Sequence, residues 1–309
     1  MWYRSPRTAA ALSCLAVLLP VTACAGKQVQ SDPARVDVVA AFYPLQFVAE
    51  RIGGGRVTVT NLTKAGAEPH DLELTPPQLE AVAAGELVVY LKGFQPAVDE
   101  AVKQAKGKRL NVAEAVPLTP ATHEDEHAEE EGEHAGEELG VDPHLWLDTE
   151  RYGALAAAIA DQLAAADPDG AADYRARLLA FQKDLAGSHI KYEKGLRDCQ
   201  RREIFTNHAA FGYLATRWKL KQIPISGLSP DQEPAPRRMA EIAAQAKQRG
   251  ATTIFFETLV SPKVAETVAR SSGAKTAVLD PIEGVTGDDD YFVVMNRNLA
   301  TLREALSCK

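Results

Sequence analysis

Short β-branched runs alternate with helical stretches along this chain, in two series separated by one long helical segment. That alternation restricts the fold to the α/β class, with mainly parallel sheets and helices on their faces. In the first series, residues 36–42, 57–62 and 87–90 read as strands, and 44–53, 76–84 and 148–166 as helices. In the second, 203–206, 222–225, 252–257 and 275–279 read as strands, and 209–220, 236–249, 262–271 and 291–306 as helices. Between them, apolar residues recur at Tyr174, Leu178, Phe181, Leu185 and Tyr192, close to helical spacing. A single helix over 168–199 would run roughly 45 Å, longer than one lobe requires, so it reads as a rigid connector. The expected organisation is an N-terminal lobe over 36–166, a connector over 167–199 and a C-terminal lobe over 200–309. A length of 309 residues agrees with two domains. In open α/β sheets, ligand groups sit on loops at the carboxyl ends of strands. His208, Glu257 and Asp280 all fall there.

Residues 1–23 read as an export signal. Arg4 and Arg7 provide a positive start, residues 9–21 form an apolar stretch too short for a permanent span, and Val21-Thr22-Ala23-Cys24 looks like a bacterial lipobox. Cys24 is then the expected lipidation site and 24–35 a polar tether, which places the chain outside the cytoplasm, anchored by lipid. Without lipidation it would be periplasmic. Of four cysteines, Cys14 leaves with the signal and Cys24 is taken by lipid. Cys199 and Cys308 remain as an even pair in a compartment where disulfides persist, and are expected to be bridged. The chain is acidic, at −8, which argues against nonspecific affinity for nucleic acid.

The acidity is concentrated. Residues 122–138 hold nine acids, three histidines and no lysine or arginine. From Cys24 onward the balance is −10, and −1 without that segment. Such a segment should self-repel and stay disordered, and its imidazoles among carboxylates suit weak binding of a borderline metal. His123 to His127 matches HExxH, the pattern of zinc proteases. There the motif rides a packed helix, whereas these flanks are acidic and poor in apolar residues, with Gly132 and Gly136 following, so the protease reading is set aside. His123, His127 and His134 are candidate ligands of a secondary metal-binding loop. His189 lies on the connector and reads as structural.

His70, His144 and His208 each lie in a sharply defined context: Ala67-Glu68-Pro69-His70-Asp71, Val141-Asp142-Pro143-His144-Leu145-Trp146, and Thr206-Asn207-His208-Ala209-Ala210-Phe211-Gly212-Tyr213. Ser226-Gly227-Leu228-Ser229-Pro230, Ile254-Phe255-Phe256-Glu257, Ser261-Pro262-Lys263 and Leu279-Asp280-Pro281-Ile282-Glu283-Gly284 accompany them. Together these motifs resemble the metal-binding lipoproteins of bacterial ABC importers for zinc and manganese, the cluster A-I substrate-binding proteins. The resemblance covers about residues 36–307. It implies two αβα lobes joined by one rigid backbone helix, and metal ligands at His70, His144, His208 and Asp280. In that family His at the third position is typical of zinc binders and Glu of manganese binders, so His208 implies Zn²⁺. An acidic His-rich insert before the second ligand is likewise typical of the zinc subgroup. The family often has Asp directly after the third His. This chain has Ala209, which removes an acceptor beside His208. Glu68 and Glu257 are assigned supporting contacts to the ligands.

Ligand chemistry points the same way. Three neutral imidazoles and one carboxylate make a four-coordinate shell suited to Zn²⁺, whereas Mn²⁺ prefers more and harder oxygen ligands. Four protein ligands leave no open position for a reactive water, so the reading is a non-enzymatic carrier. Its expected partner is the permease of an ABC importer, with a metallochaperone contact through the His-rich loop as a further possibility, and it is expected to be monomeric. The alternatives are a manganese-delivering homologue, a surface adhesin on the same scaffold, and a zinc hydrolase. Because a ligating imidazole must be neutral, zinc affinity is expected to fall as pH drops through roughly 6.5.

Overall fold

A computed structural model describes residues 1–2, 35–120, 140–230 and 234–309. The expectations for the export signal and tether, for lipidation at Cys24 and for the loop with His123, His127 and His134 lie outside the described residues. All elements below belong to the compact unit Ala34–Lys309.

In the first half, strands β1 (Val36–Ala40), β2 (Val57–Asn61), β3 (Leu87–Tyr90) and β4 (Lys108–Asn111) alternate with helices α1 (Tyr43–Gly53), α2 (Pro76–Ala84) and α3 (Pro96–Val102). Short α4 (Val112–Ala115) follows, then a 3-10 turn at Leu145–Leu147 and α5 (Thr149–Ala166). The four strands are parallel, in the order β2-β1-β3-β4. Proline opens α1, α2 and α3, where its missing N–H costs no helical hydrogen bond. The central strands are continuous apolar runs, as required of a parallel sheet covered on both faces; Val38, Val39, Val88 and Val89 are all buried. β4, α3 and α4 are absent from the sequence reading. β4 (KRLN) is an edge strand whose first two residues are exposed, so it carries no hydrophobic signature.

The second half holds β5 (Glu203–Thr206), β6 (Lys221–Pro224), β7 (Thr253–Phe256) and β8 (Lys275–Val278), parallel in the order β6-β5-β7-β8. With α6 lying between the two sheets in sequence, the helices here are α7 (Gly212–Arg217), α8 (Pro236–Gln248), α9 (Lys263–Ser272) and α10 (Tyr291–Ala305). α6 spans Ala171–Leu196, 26 residues, or about 39 Å at the usual ~1.5 Å rise. It buries Tyr174, Phe181, Leu185, Tyr192 and Leu196, one stripe along its length.

The hydrophobic core does not divide where the connector ends. α10 folds back across the first half: Tyr291 packs on Tyr152 (ring centroids 4.6 Å apart) and Phe47 (5.8 Å), and Phe292 on Phe181 (5.9 Å). Tyr192 of α6 donates to Met295 O at 2.7 Å and Tyr291 to Trp146 O at 2.8 Å. A smaller core of Phe205, Ile223, Ile242, Ile254 and Val268 fills the far side of the second sheet. Cys199, just past α6, is disulfide-bonded to Cys308 near the C-terminus.

Candidate metal centre

His70, His144, His208 and Glu283 converge. Each offers one ligand atom, and the four atoms lie within 4.8 Å of one another. Glu283 Oε1 stands at the apex, 3.1 Å from His70 Nε2, 3.0 Å from His144 Nε2 and 3.6 Å from His208 Nε2. Those separations bracket the edge of a coordination tetrahedron, about 3.3 Å for metal–ligand bonds of ~2.0–2.1 Å. The imidazole centroids are 5.3 to 5.8 Å apart. His144, His208 and Glu283 are almost wholly buried, and His70 retains 9% side-chain exposure.

Three of the four ligand loops follow β-strands directly, at the carboxyl ends of the two parallel sheets. His70 lies between β2 and α2, and its loop is held by buried Gln95, which donates to Pro69 O at 3.0 Å and Thr63 Oγ1 at 3.1 Å. His208 follows β5; its carbonyl accepts from Thr206 Oγ1 at 2.8 Å and Gln222 Nε2 at 2.9 Å. His144 precedes the 3-10 turn before α5, in the segment Asp142–Asp148. Within it Asp142 Oδ1 accepts from His144 N (2.9 Å) and His144 Nδ1 (2.8 Å). Trp146 Nε1 donates to Pro281 O at 2.7 Å, tying the His144 loop to the Glu283 loop. Asp148 caps α5 by accepting from Glu150 N at 2.9 Å, and also receives Arg217 of α7 at 2.8 Å.

Carboxylates behind the rings decide which nitrogen faces the cluster. Nδ1 of His144 is held by Asp142, and Nδ1 of His208 donates to Glu257 Oε1 at 2.6 Å. Each Nδ1 therefore donates its proton outward, so Nε2 is the atom turned toward the cluster, where it gives up a proton to offer its lone pair to a cation. His208 Nε2 is buried and has no hydrogen-bond partner among the described residues. An orphaned buried acceptor beside a carboxylate is the signature of a place for a cation. Glu257 supplies the acceptor that Ala209 does not. Glu68 Oε2 accepts from His70 N at 2.9 Å and its Oε1 lies 3.8 Å from His70 Nε2.

The electrostatics follow from this crowding. Burial lowers the His70 pKa below its ordinary value despite Glu283. For His144 burial works in the same direction, but hydrogen bonds to Asp142 and Glu283 outweigh it and raise the value. His208 is likewise opposed by burial, yet Glu257 and Glu283 push it up to about 10. Burial alone would raise Glu283, but three imidazoles facing it hold it well below the usual carboxylate range. The cluster is a buried carboxylate shared among imidazoles, where a divalent cation would take the place of protons.

The sequence reading placed the fourth ligand at Asp280, and this is corrected: the carboxylate among the imidazoles is Glu283, three residues further along the same motif. Asp280 is turned away and engaged. Its Oδ2 accepts from Thr258 Oγ1 at 2.6 Å and its Oδ1 from Ile282 N at 2.7 Å. Burial raises its pKa. Ile282 adopts φ 60°, a left-handed conformation that costs a β-branched residue roughly 1–3 kcal/mol. Periodicity cannot reveal such a reversal, and a loop with two acids three apart leaves the choice between them to the backbone. His189 stands apart: its Nδ1 lies 3.2 Å from Thr149 Oγ1 and its ring packs on Trp218.

Comparison with known proteins gives concordant matches. The family model described as zinc-uptake complex component A, periplasmic, matches residues 38–305. Zinc-binding protein AdcA of Streptococcus pyogenes serotype M3 is 34% identical over 294 residues, covering 90% of this chain and 57% of AdcA, so the chain spans just over half the length of that relative. High-affinity zinc uptake system protein ZnuA of Bacillus subtilis is 31% identical over 307 residues, covering 95% of this chain and 96% of ZnuA. Among solved structures, the Zn(II)-bound ZnuA-like domain of Streptococcus pneumoniae AdcA superposes with a TM-score of 0.73 at 29% identity, covering 88% of this chain and 99% of the domain.

Proposed function

The chain belongs to the zinc-uptake complex component A family, and from that premise we propose that it is an extracytoplasmic zinc-binding protein that captures Zn²⁺ between its two sheets and delivers it to the permease of an ABC importer. The observation that carries the reading is the convergence of three imidazole nitrogens and Glu283 Oε1 within 4.8 Å. An N₃O donor set suits four-coordinate zinc, and selects against manganese by ligand type. The relatives named as zinc-binding and zinc-uptake proteins support zinc as cargo and an importer as recipient.

Each part of the site has a task in this reading. His144 and His208 are held through Nδ1 by Asp142 and Glu257 before metal arrives, so little ordering cost attends binding at those two rings. His70, the most exposed ligand, is the side on which the ion is taken up. Four protein ligands complete the tetrahedron and leave no position for a reactive water, which favours carriage over hydrolysis. No helix among the described residues is long and apolar enough to cross a membrane, and the lipobox at Cys24 supplies the anchor. The acidic segment bearing His123, His127 and His134 binds zinc weakly as a buffer and offers a contact for a metallochaperone.

Competition titration with a chromophoric chelator tests the proposal. His208→Ala should lose far more high-affinity zinc binding than deletion of residues 122–138. Equal losses would move the principal site into the acidic loop.

A further inference from the structure

Asp280 is a buried carboxylate 6% exposed, and Asn298 of α10 is a buried amide 1% exposed. Neither belongs to the ligand cluster, and groups of this kind persist in a core only when something fixes them. They fix each other. Asn298 Oδ1 accepts from Asp280 N at 3.0 Å, and Asn298 Nδ2 donates to Asp280 O at 2.7 Å, so one amide grips both polar groups of one residue's backbone. The Asp280 side chain then reaches forward to Ile282 N and sideways to Thr258 Oγ1. Trp146 holds Pro281 O from the opposite side. Every residue from Asp280 to Ile282 is thus pinned, and the left-handed backbone at Ile282 is the form that aims the next side chain, Glu283, at the imidazoles. A hydrophobic residue at 298 would suit the burial of that position, but it would leave the loop free to relax Ile282 into an ordinary conformation.

We propose that Asn298, acting through Asp280 and with Thr258 holding the Asp280 carboxylate, is the positioning residue that keeps Glu283 in the metal shell, so that a helix remote from the ion determines whether the site has four protein ligands or three. The inference rests on the zinc-site reading above. It assigns Asp280 a role in aiming the ligand in place of a bond to metal.

The test compares the unmodified chain with Asn298→Leu, Thr258→Val, Glu283→Gln and His208→Ala. Zinc affinity is measured by chelator competition, and coordination by the visible spectrum of the Co²⁺-loaded protein. Asn298→Leu should lose zinc affinity about 10–100-fold, the range typical for partners of metal ligands. Its cobalt spectrum should move toward that of Glu283→Gln, because both lack the same ligand. Thr258→Val, which removes one hydroxyl and keeps the shape, should shift the spectrum in the same direction by less, and stands in should Asn298→Leu not fold. A cobalt spectrum and zinc affinity unchanged in the folded Asn298→Leu chain, or in Thr258→Val if the former does not fold, would overturn the proposal even with a lower melting temperature. If His208→Ala and Glu283→Gln also bind zinc as tightly as the unmodified chain, it is the zinc-site reading that fails.

Discussion

Nδ1 of His144 and of His208 each meets a carboxylate, and this small detail controls both geometry and proton balance at the centre. A ring tethered at Nδ1 cannot rotate and cannot present the wrong nitrogen. Removing the tether at His208 by Glu257→Ala should weaken zinc binding about 10–100-fold while leaving all four ligands in the chain; calorimetry showing unaltered affinity would refute the assignment. The same contacts set the pH response. His208 without metal keeps its proton up to about 10, whereas a free imidazole loses it near ~6.5. Zinc must displace that proton, so affinity falls as pH is lowered through the whole range below 10, beginning well above the value expected from sequence. Titrations near neutral pH in two buffers of different ionisation enthalpy should report net proton release on binding. For the metal-free fold the sign is opposite: the raised pKa stabilises it below ~6.5, and that stabilisation is lost as pH rises through 10.

At the level of elements, Asp142–Asp148 acts as one device. Asp142 orients His144, Trp146 reaches the Glu283 loop, and Asp148 caps α5 while receiving Arg217 of α7. The start of α7 is shaped to fit it: a Cβ at Gly212 would stand 2.4 Å from Asp142 Oδ2. Gly212→Ala must therefore displace the carboxylate that orients His144. The expected cost is about 1–3 kcal/mol of stability, as for other overpacked sites, together with weaker zinc binding. Denaturant unfolding paired with chelator competition distinguishes this from a stability loss alone. Tyr213, next in α7, donates to Asp142 O at 3.0 Å and accepts from Thr119 N at 2.9 Å. The short helix thus holds Thr119 and Asp142, which flank the isolated antiparallel bridge between Pro120 and Val141.

For the molecule as a whole, the core is continuous from the first sheet through α6 to α10, and the disulfide joins Cys199 to Cys308 across a sequence separation of 109. A loop of that size implies that Cys199→Ser together with Cys308→Ser should cost about 2–4 kcal/mol, chiefly through the unfolded chain, with little change in zinc affinity. Metal acts on the folded state instead. Zinc at about a thousand times its dissociation constant should stabilise the protein by ~4 kcal/mol and raise its melting temperature. Absence of any shift at saturating zinc would contradict a site built from both sheets.

Strand alternation, the apolar stripe of α6 and the three histidine contexts were legible in the chain because each is a local pattern: period two or a continuous apolar run for strands, 3.6 for helices, and short motifs around each ligand. The pair Cys199 and Cys308 was likewise available by elimination. Edge strand β4, with Lys108 and Arg109 exposed, had no such pattern to read. Tertiary structure alone decided that Glu283 and not Asp280 meets the imidazoles, that Glu257 replaces the acceptor absent at Ala209, and that α10 completes the first core. The reason is common to all three: a side chain's partner is set by the backbone conformation of its loop and by segments far away in sequence, and the left-handed turn at Ile282 is held there by Asn298 and Trp146, neither of which is its neighbour in the chain.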